Sequence, residues 1–107
     1  MKILSVTDDA IQFYNGDRIT FFHGQDCCEE NYADFKQLDN VARSTEFELP
    51  IVFESVNNYG FRFGNKPDKM FFVPCYSDQN GYYSDEIEIE YNGDTVLTFD
   101  CEEICDY

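Results

Sequence analysis

The sequence predicts an α+β domain: a mainly antiparallel β-sheet with one amphipathic helix packed on it. Three observations lead there. Short β-rich runs recur along the chain, separated by turn residues such as Tyr14-Asn15-Gly16-Asp17, Asn57-Asn58-Tyr59-Gly60 and Tyr91-Asn92-Gly93-Asp94. The strand pattern is broken once, after His23, by apolar residues at helical spacing. The chain is 43% hydrophobic and 18% aromatic, with 11 Phe and 8 Tyr, enough to bury a core and exclude disorder. Its 107 residues read as one domain, 1–107.

Residues 3–6 read either as a short strand of their own or as a partner of the first hairpin. Residues 10–14 and 18–23 make that hairpin, and its register follows from which side chains share a face. A two-residue Asn15-Gly16 loop sets polar beside apolar residues. A three-residue loop, Tyr14-Asn15-Gly16, pairs Ile11 with Ile19 and puts Ile11, Phe13, Ile19 and Phe21 on one face. It also places Gly16 where the left-handed conformation is needed.

Gly24 breaks the second strand, and a helix is expected over about residues 27–37. Asp26 suits its N-cap, because a carboxylate there accepts from first-turn amides. Glu29, three residues on, has capping-box spacing. Cys28, Tyr32, Phe35 and Leu38 then share one helical face. Residues 39–49 carry no period and read as an irregular crossing before Pro50.

Residues 51–56 read as a strand, 57–60 as a turn and 61–63 as the returning strand. Residues 64–69 form a second turn and 70–76 another strand, in which Pro74 argues for an edge or an early end. Residues 77–81 read as a polar loop. The last hairpin repeats the first one's tetrapeptide, Tyr-Asn-Gly-Asp, and the same three-residue register would pair Ile87 with Leu97 and Ile89 with Thr95. The tail from Asp100 is either a helical turn bringing Cys101 and Cys105 together or a frayed end.

His23, Gln25, Asp26, Cys27, Cys28 and Glu29 resemble the H-x-Q-D-C-C-E signature of a family of small uncharacterised phage and bacterial proteins. The hairpin before it, Asn15-Gly16-Asp17-Arg18-Ile19, resembles that family's N-terminal pattern. The resemblance covers the first third of the chain. It implies a mobile-element origin and brings no mechanism.

Charge bounds the function. There are 22 acidic and 7 basic residues, a formal charge of -15. Such a surface repels nucleic acid and anionic membrane and favours a basic partner. No apolar run of about 18 residues is present, so no transmembrane helix is expected. The apolar start, residues 1–6, is too short for a signal peptide. A cytoplasmic location follows, in the host cell if the protein is phage-encoded, with five cysteines expected as thiols.

Candidate chemistry is limited. His23, Cys27, Cys28, Cys75, Cys101 and Cys105 are possible metal ligands. Adjacent cysteines on a helix diverge by about 100°, so Cys27 and Cys28 do not readily share an ion, and small core thiols are the plainer reading. Cys27 at a helix N-terminus, with His23 as base, has the outline of a nucleophile. Asp26, Glu29 and Glu30 oppose a thiolate there, and no oxyanion-hole motif accompanies it. No P-loop, dinucleotide-binding or EF-hand pattern is present, and no cofactor is implied.

The remaining signal is an acidic row. Glu86, Glu88 and Glu90 alternate along one strand, so they share a face at intervals of about 6.6 Å. Glu102 and Glu103, with Asp100 and Asp106, would extend it. Such a row can occupy a basic groove made for nucleic acid. The plainer alternative is a solvated face that protects the sheet from edge pairing. The sequence therefore points to a non-enzymatic acidic protein that binds a basic host protein. A nucleic-acid mimic inhibiting a defence or nucleic-acid-binding factor is its sharper form. The alternatives are a small cysteine/histidine-centred enzyme or metal-binding domain, and a structural or virion accessory protein.

Overall fold

The alternation of apolar and polar residues is carried almost entirely by strands. The computed structural model describes residues 1–22, 30–78 and 86–104. In chain order these give β1 (Ile3–Val6), β2 (Ala10–Phe13), β3 (Arg18–Phe22), β4 (Glu30–Ala33), a 3-10 turn (Phe35–Gln37), α1 (Asn40–Ser44) and β5 (Val52–Val56). They continue with β6 (Gly60–Asn65), β7 (Lys69–Asp78), β8 (Glu86–Tyr91), β9 (Asp94–Asp100) and β10 (Glu102–Ile104). One sheet runs β1-β2-β3-β8-β9, with every neighbour antiparallel. The other runs β10-β7-β6-β5, with β4 also on β7. In that sheet only β10 against β7 is parallel among the described pairs.

The two sheets share a core. Ile3, Ile11, Phe13, Ile19, Ile87 and Ile89 come from the first sheet, and Ala33, Phe61, Phe63, Val73 and Cys75 from the second. Phe47, in the segment after α1, is buried against rings of both sheets, with centroids 5.9 Å from Phe13 and 5.8 Å from Phe63 and Phe71. Burying a side chain of that size stabilises by about 1.5–3 kcal/mol.

The expected antiparallel sheet is present, and the expected long helix is not. Within residues 27–37 the described part is strand β4 followed by the 3-10 turn. The burial period there is two: Asn31, Ala33 and Phe35 are buried, while Tyr32 and Asp34 between them are half-buried. Asn31 takes an inward position because its polar groups are satisfied. Its Nδ2 donates to the Glu86 carbonyl at 3.0 Å, and Ser77 Oγ donates to its Oδ1 at 2.5 Å. That pair ties the second sheet to β8 of the first. The α-helix lies instead in the segment read as irregular. Asp39 caps α1 by accepting from Val41 N–H at 2.9 Å, and only Ala42 of its five residues is buried.

The first hairpin has the expected register. Ile11 faces Ile19, Phe13 N–H donates to the Asp17 carbonyl at 2.8 Å, and Gly16 has φ +96°. The last hairpin does not. Tyr91 faces Asp94, so its loop is the two residues Asn92 and Gly93, with φ of +53° and +88°, as a type I′ turn requires. A bulge then sets Ile89 opposite Leu97 and Ile87 opposite Phe99, not opposite Thr95 and Leu97. One tetrapeptide thus makes two different turns.

Two further expectations are corrected. β7 runs through Pro74 to Asp78, so Ser77 and Asp78 belong to a strand and not to a polar loop. Pro74 is tolerated because the β6 pairing ends on it and the β4 pairing ends at Cys75, so no ladder there requires its missing N–H. The described part of the tail is not a helical turn: residues 102–104 are strand, and 105–107 lie outside the described residues.

Candidate acidic interface

β8 carries the predicted row. Ile87 and Ile89 are fully buried, so strand alternation turns Glu86, Glu88 and Glu90 to the outer face of the first sheet. Glu86 is exposed, and Glu88 and Glu90 are half-buried among neighbouring strands. On the β3 side Glu88 lies opposite Phe22 and Glu90 opposite Thr20. On the β9 side Glu86 lies opposite Asp100, Glu88 opposite Thr98 and Glu90 opposite Thr95. Thr95 Oγ1 donates to Glu88 Oε1 at 3.4 Å.

Placing Glu86 directly across from Asp100 sets like charges at the closest cross-strand position, which destabilises a sheet by a few tenths of a kcal/mol. Asp100 therefore extends the row as expected. Glu102 and Glu103 do not, because β10 pairs with Tyr76 and Ser77 of β7 in the other sheet. Asp106 lies outside the described residues.

The second sheet treats its acid differently. Glu54 on β5 is bridged by Arg62 and Lys66, and Arg62 Nε donates to Glu54 Oε1 at 2.6 Å. Those two partners, Lys66 foremost, hold the Glu54 carboxyl below its ordinary range. Other ion pairs join Lys36 to Asp8 and the terminal ammonium to Glu46. Among the described residues, none of these pairs involves Glu88, Glu90 or Asp100. Arg62 and Lys66 thus neutralise Glu54 on the second sheet, while Glu88 and Glu90 lie half-buried on the outer face of the first.

One end of this face is held by the two turns. Tyr91 Oη donates to Asp17 Oδ2, and Asn92 Nδ2 donates to Asp17 Oδ1 at 3.1 Å. Arg18 N–H donates to Asn92 Oδ1 at 2.9 Å. The Tyr91 hydroxyl, with the side-chain amides of Asn92 and Asn15, holds the Asp17 carboxyl below its usual value. Burial and the Asp17 carboxylate in turn push the Tyr91 hydroxyl up.

Sequence reasoning missed Phe22. It is 54% exposed on the same face as the glutamates. The signal was present, since Ile19 and Phe21 facing inward leaves Phe22 facing outward.

His23, Gln25, Asp26, Cys27, Cys28 and Glu29 lie outside the described residues, as does the helix start expected there. Cys105 does too. Cys75 and Cys101 are buried, and burial pushes the Cys75 thiol far up. Among the described residues no three His, Cys, Asp or Glu side chains are grouped to hold a metal ion. Two open clefts, of about 320 and 350 Å³, are lined by Val6, Phe35 and Lys36 and by Asp8, Phe21 and Asp34 among others. No described helix is long and apolar enough to cross a membrane. No family model, curated protein or solved structure matches the chain.

Proposed function

We propose that this is a non-enzymatic acidic protein that binds a basic partner protein through the outer face of the first sheet. The observation that carries the reading is the row on β8: carboxylates at strand spacing on the outer face of the sheet, set there by the buried Ile87 and Ile89. Rigid, regularly spaced negative charge on a sheet steers a basic groove and suppresses wrong partners. The spacing of about 6.6 Å is comparable to that of phosphates along a nucleic-acid strand, which supports the sharper form, a mimic that occupies a nucleic-acid-binding host factor. The resemblance of the first third to small phage proteins is in keeping with a mobile-element origin and a host partner.

The test is affinity capture from bacterial lysate at low and high salt, with the parent protein beside a Glu88→Lys, Glu90→Lys double variant. The reading expects basic proteins recovered by the parent at low salt only, and lost from the variant. Recovery of the same proteins by both, or of no basic protein, would overturn it.

A further inference from the structure

The exposed ring of Phe22 gives the acidic face a selectivity that charge alone lacks. Phe22 ends β3 directly opposite Glu88, and adjacent β-strand residues in that relation hold their Cβ atoms about 5 Å apart on one side of the sheet. The ring is 54% exposed, while its inward neighbour Phe21 packs against the core. Glu88 is half-buried, with Thr95 as a hydrogen-bond donor at 3.4 Å, so one oxygen is steadied. Along β8, Glu86 and Glu90 flank Glu88 on the same face.

A large apolar ring exposed among carboxylates is costly to keep in water and adds nothing to the core. It suits a cation that is itself flat and weakly hydrated. A guanidinium stacks its face on an aromatic ring and presents its edge to a carboxylate in two parallel hydrogen bonds. An ammonium is a compact, strongly hydrated charge that gains the Coulomb attraction and much less from the ring. We infer that Phe22 and Glu88 together form an arginine-binding position, and that the partner places an arginine there in preference to a lysine. This deepens the reading above and rests on it. The charge of the face admits a basic partner; the ring beside Glu88 selects which basic side chain.

The occupant is argued from charge complementarity. A second copy of this chain would bring the same carboxylates against one another, and nucleic acid would bring phosphates. An arginine-bearing protein segment satisfies both the ring and the row.

The experiment uses two synthetic peptides of alternating residues, one glycine and arginine, the other glycine and lysine, matched in length and charge. Their affinities are measured by fluorescence anisotropy at low salt for the parent, Phe22→Leu and Glu88→Gln, with melts confirming that each variant is folded. The parent is expected to bind the arginine peptide about three- to fivefold more tightly, the size of an exposed cation–π contact. Phe22→Leu keeps an apolar side chain of similar bulk, and it should abolish the preference while both peptides still bind with salt dependence. Glu88→Gln should weaken both peptides and the arginine peptide more.

Equal affinity of the parent for the two peptides, or a preference that survives Phe22→Leu, overturns the arginine position and leaves the acidic interface standing. Failure of both peptides to bind the parent at low salt overturns the arginine position and the acidic interface alike.

Discussion

Replacing Asp17 with alanine breaks the join between the two Tyr-Asn-Gly-Asp turns. Its carboxylate accepts from Tyr91 Oη, and from Asn15 Nδ2 and Asn92 Nδ2 at 3.1 Å each. A hydrogen bond to a charged group contributes about 1.5–3 kcal/mol where water is excluded. The two amide bonds are exposed and water replaces them at little cost, so the part-buried Tyr91 bond carries most of the effect. Asp17→Ala should cost about 1.5–2 kcal/mol, which lowers the melting midpoint of a domain this size on the order of 8 °C. The pH dependence follows from the sign of the shift. The Asp17 carboxyl is held below its ordinary 3.8, first by the Tyr91 hydroxyl. A carboxyl whose folded value is depressed contributes stability above its unfolded value and loses it as pH falls through the folded one. Thermal melts of parent and Asp17→Ala should therefore differ fully at neutral pH and converge in acid below 3.8. A variant that melts like the parent at neutral pH, or a gap that persists in acid, would refute the join as a stabilising contact.

Other outcomes follow from the same geometry. Gly60 and Gly64 have φ of +155° and +141°, and a Cβ on either would strike a carbonyl of β7, that of Val73 or Lys69. Gly60→Ala or Gly64→Ala should cost at least about 2 kcal/mol, read as a lowered denaturant midpoint. Asn31→Ala removes the donor to the Glu86 carbonyl and the acceptor for Ser77, and should cost about 2–3 kcal/mol, against little for the exposed Asn58→Ala control. Cys75 and Cys101 should resist a thiol-labelling reagent in the folded protein and label on denaturation, because both are buried and the Cys75 thiol is pushed far from ionisation. Rapid labelling of either by mass spectrometry would contradict their place in the core.

The sequence made the first hairpin legible because its faces are unambiguous. Ile11, Phe13, Ile19 and Phe21 share a side in one register only, and Gly16 meets that register's need for positive φ. The second Tyr-Asn-Gly-Asp turn was misread because its register is decided elsewhere. Asn92 docks on Asp17 of the first turn and Arg18 of β3, and a bulge brings Leu97 against Ile89. Neither effect is visible in residues 86–100 alone. The helix expected over residues 27–37 fails at Asn31, which is buried with Ser77 and the Glu86 carbonyl as partners. Tyr32, Phe35 and Leu38 fit a helical spacing equally well until Ala33 is seen to be buried beside them. The Asp39 cap of α1 was there to be read, but five residues with one buried side chain give no period. The glutamate row was fully legible from Ile87 and Ile89, whereas the transfer of Glu102 and Glu103 to the other sheet depends on a parallel pairing with β7 that no local pattern announces.

The measurement that bears most directly on the acidic interface is the affinity of the captured basic partner for a Glu86→Gln, Glu88→Gln, Glu90→Gln triple variant, by calorimetry at low and high salt. The three side chains point away from the core, so the variant should fold and melt at or slightly above the parent's midpoint, as repulsion with Asp100 is relieved. The account predicts that binding is lost or falls by at least tenfold at low salt, and that the salt dependence flattens. Undiminished binding by the folded triple variant would contradict it.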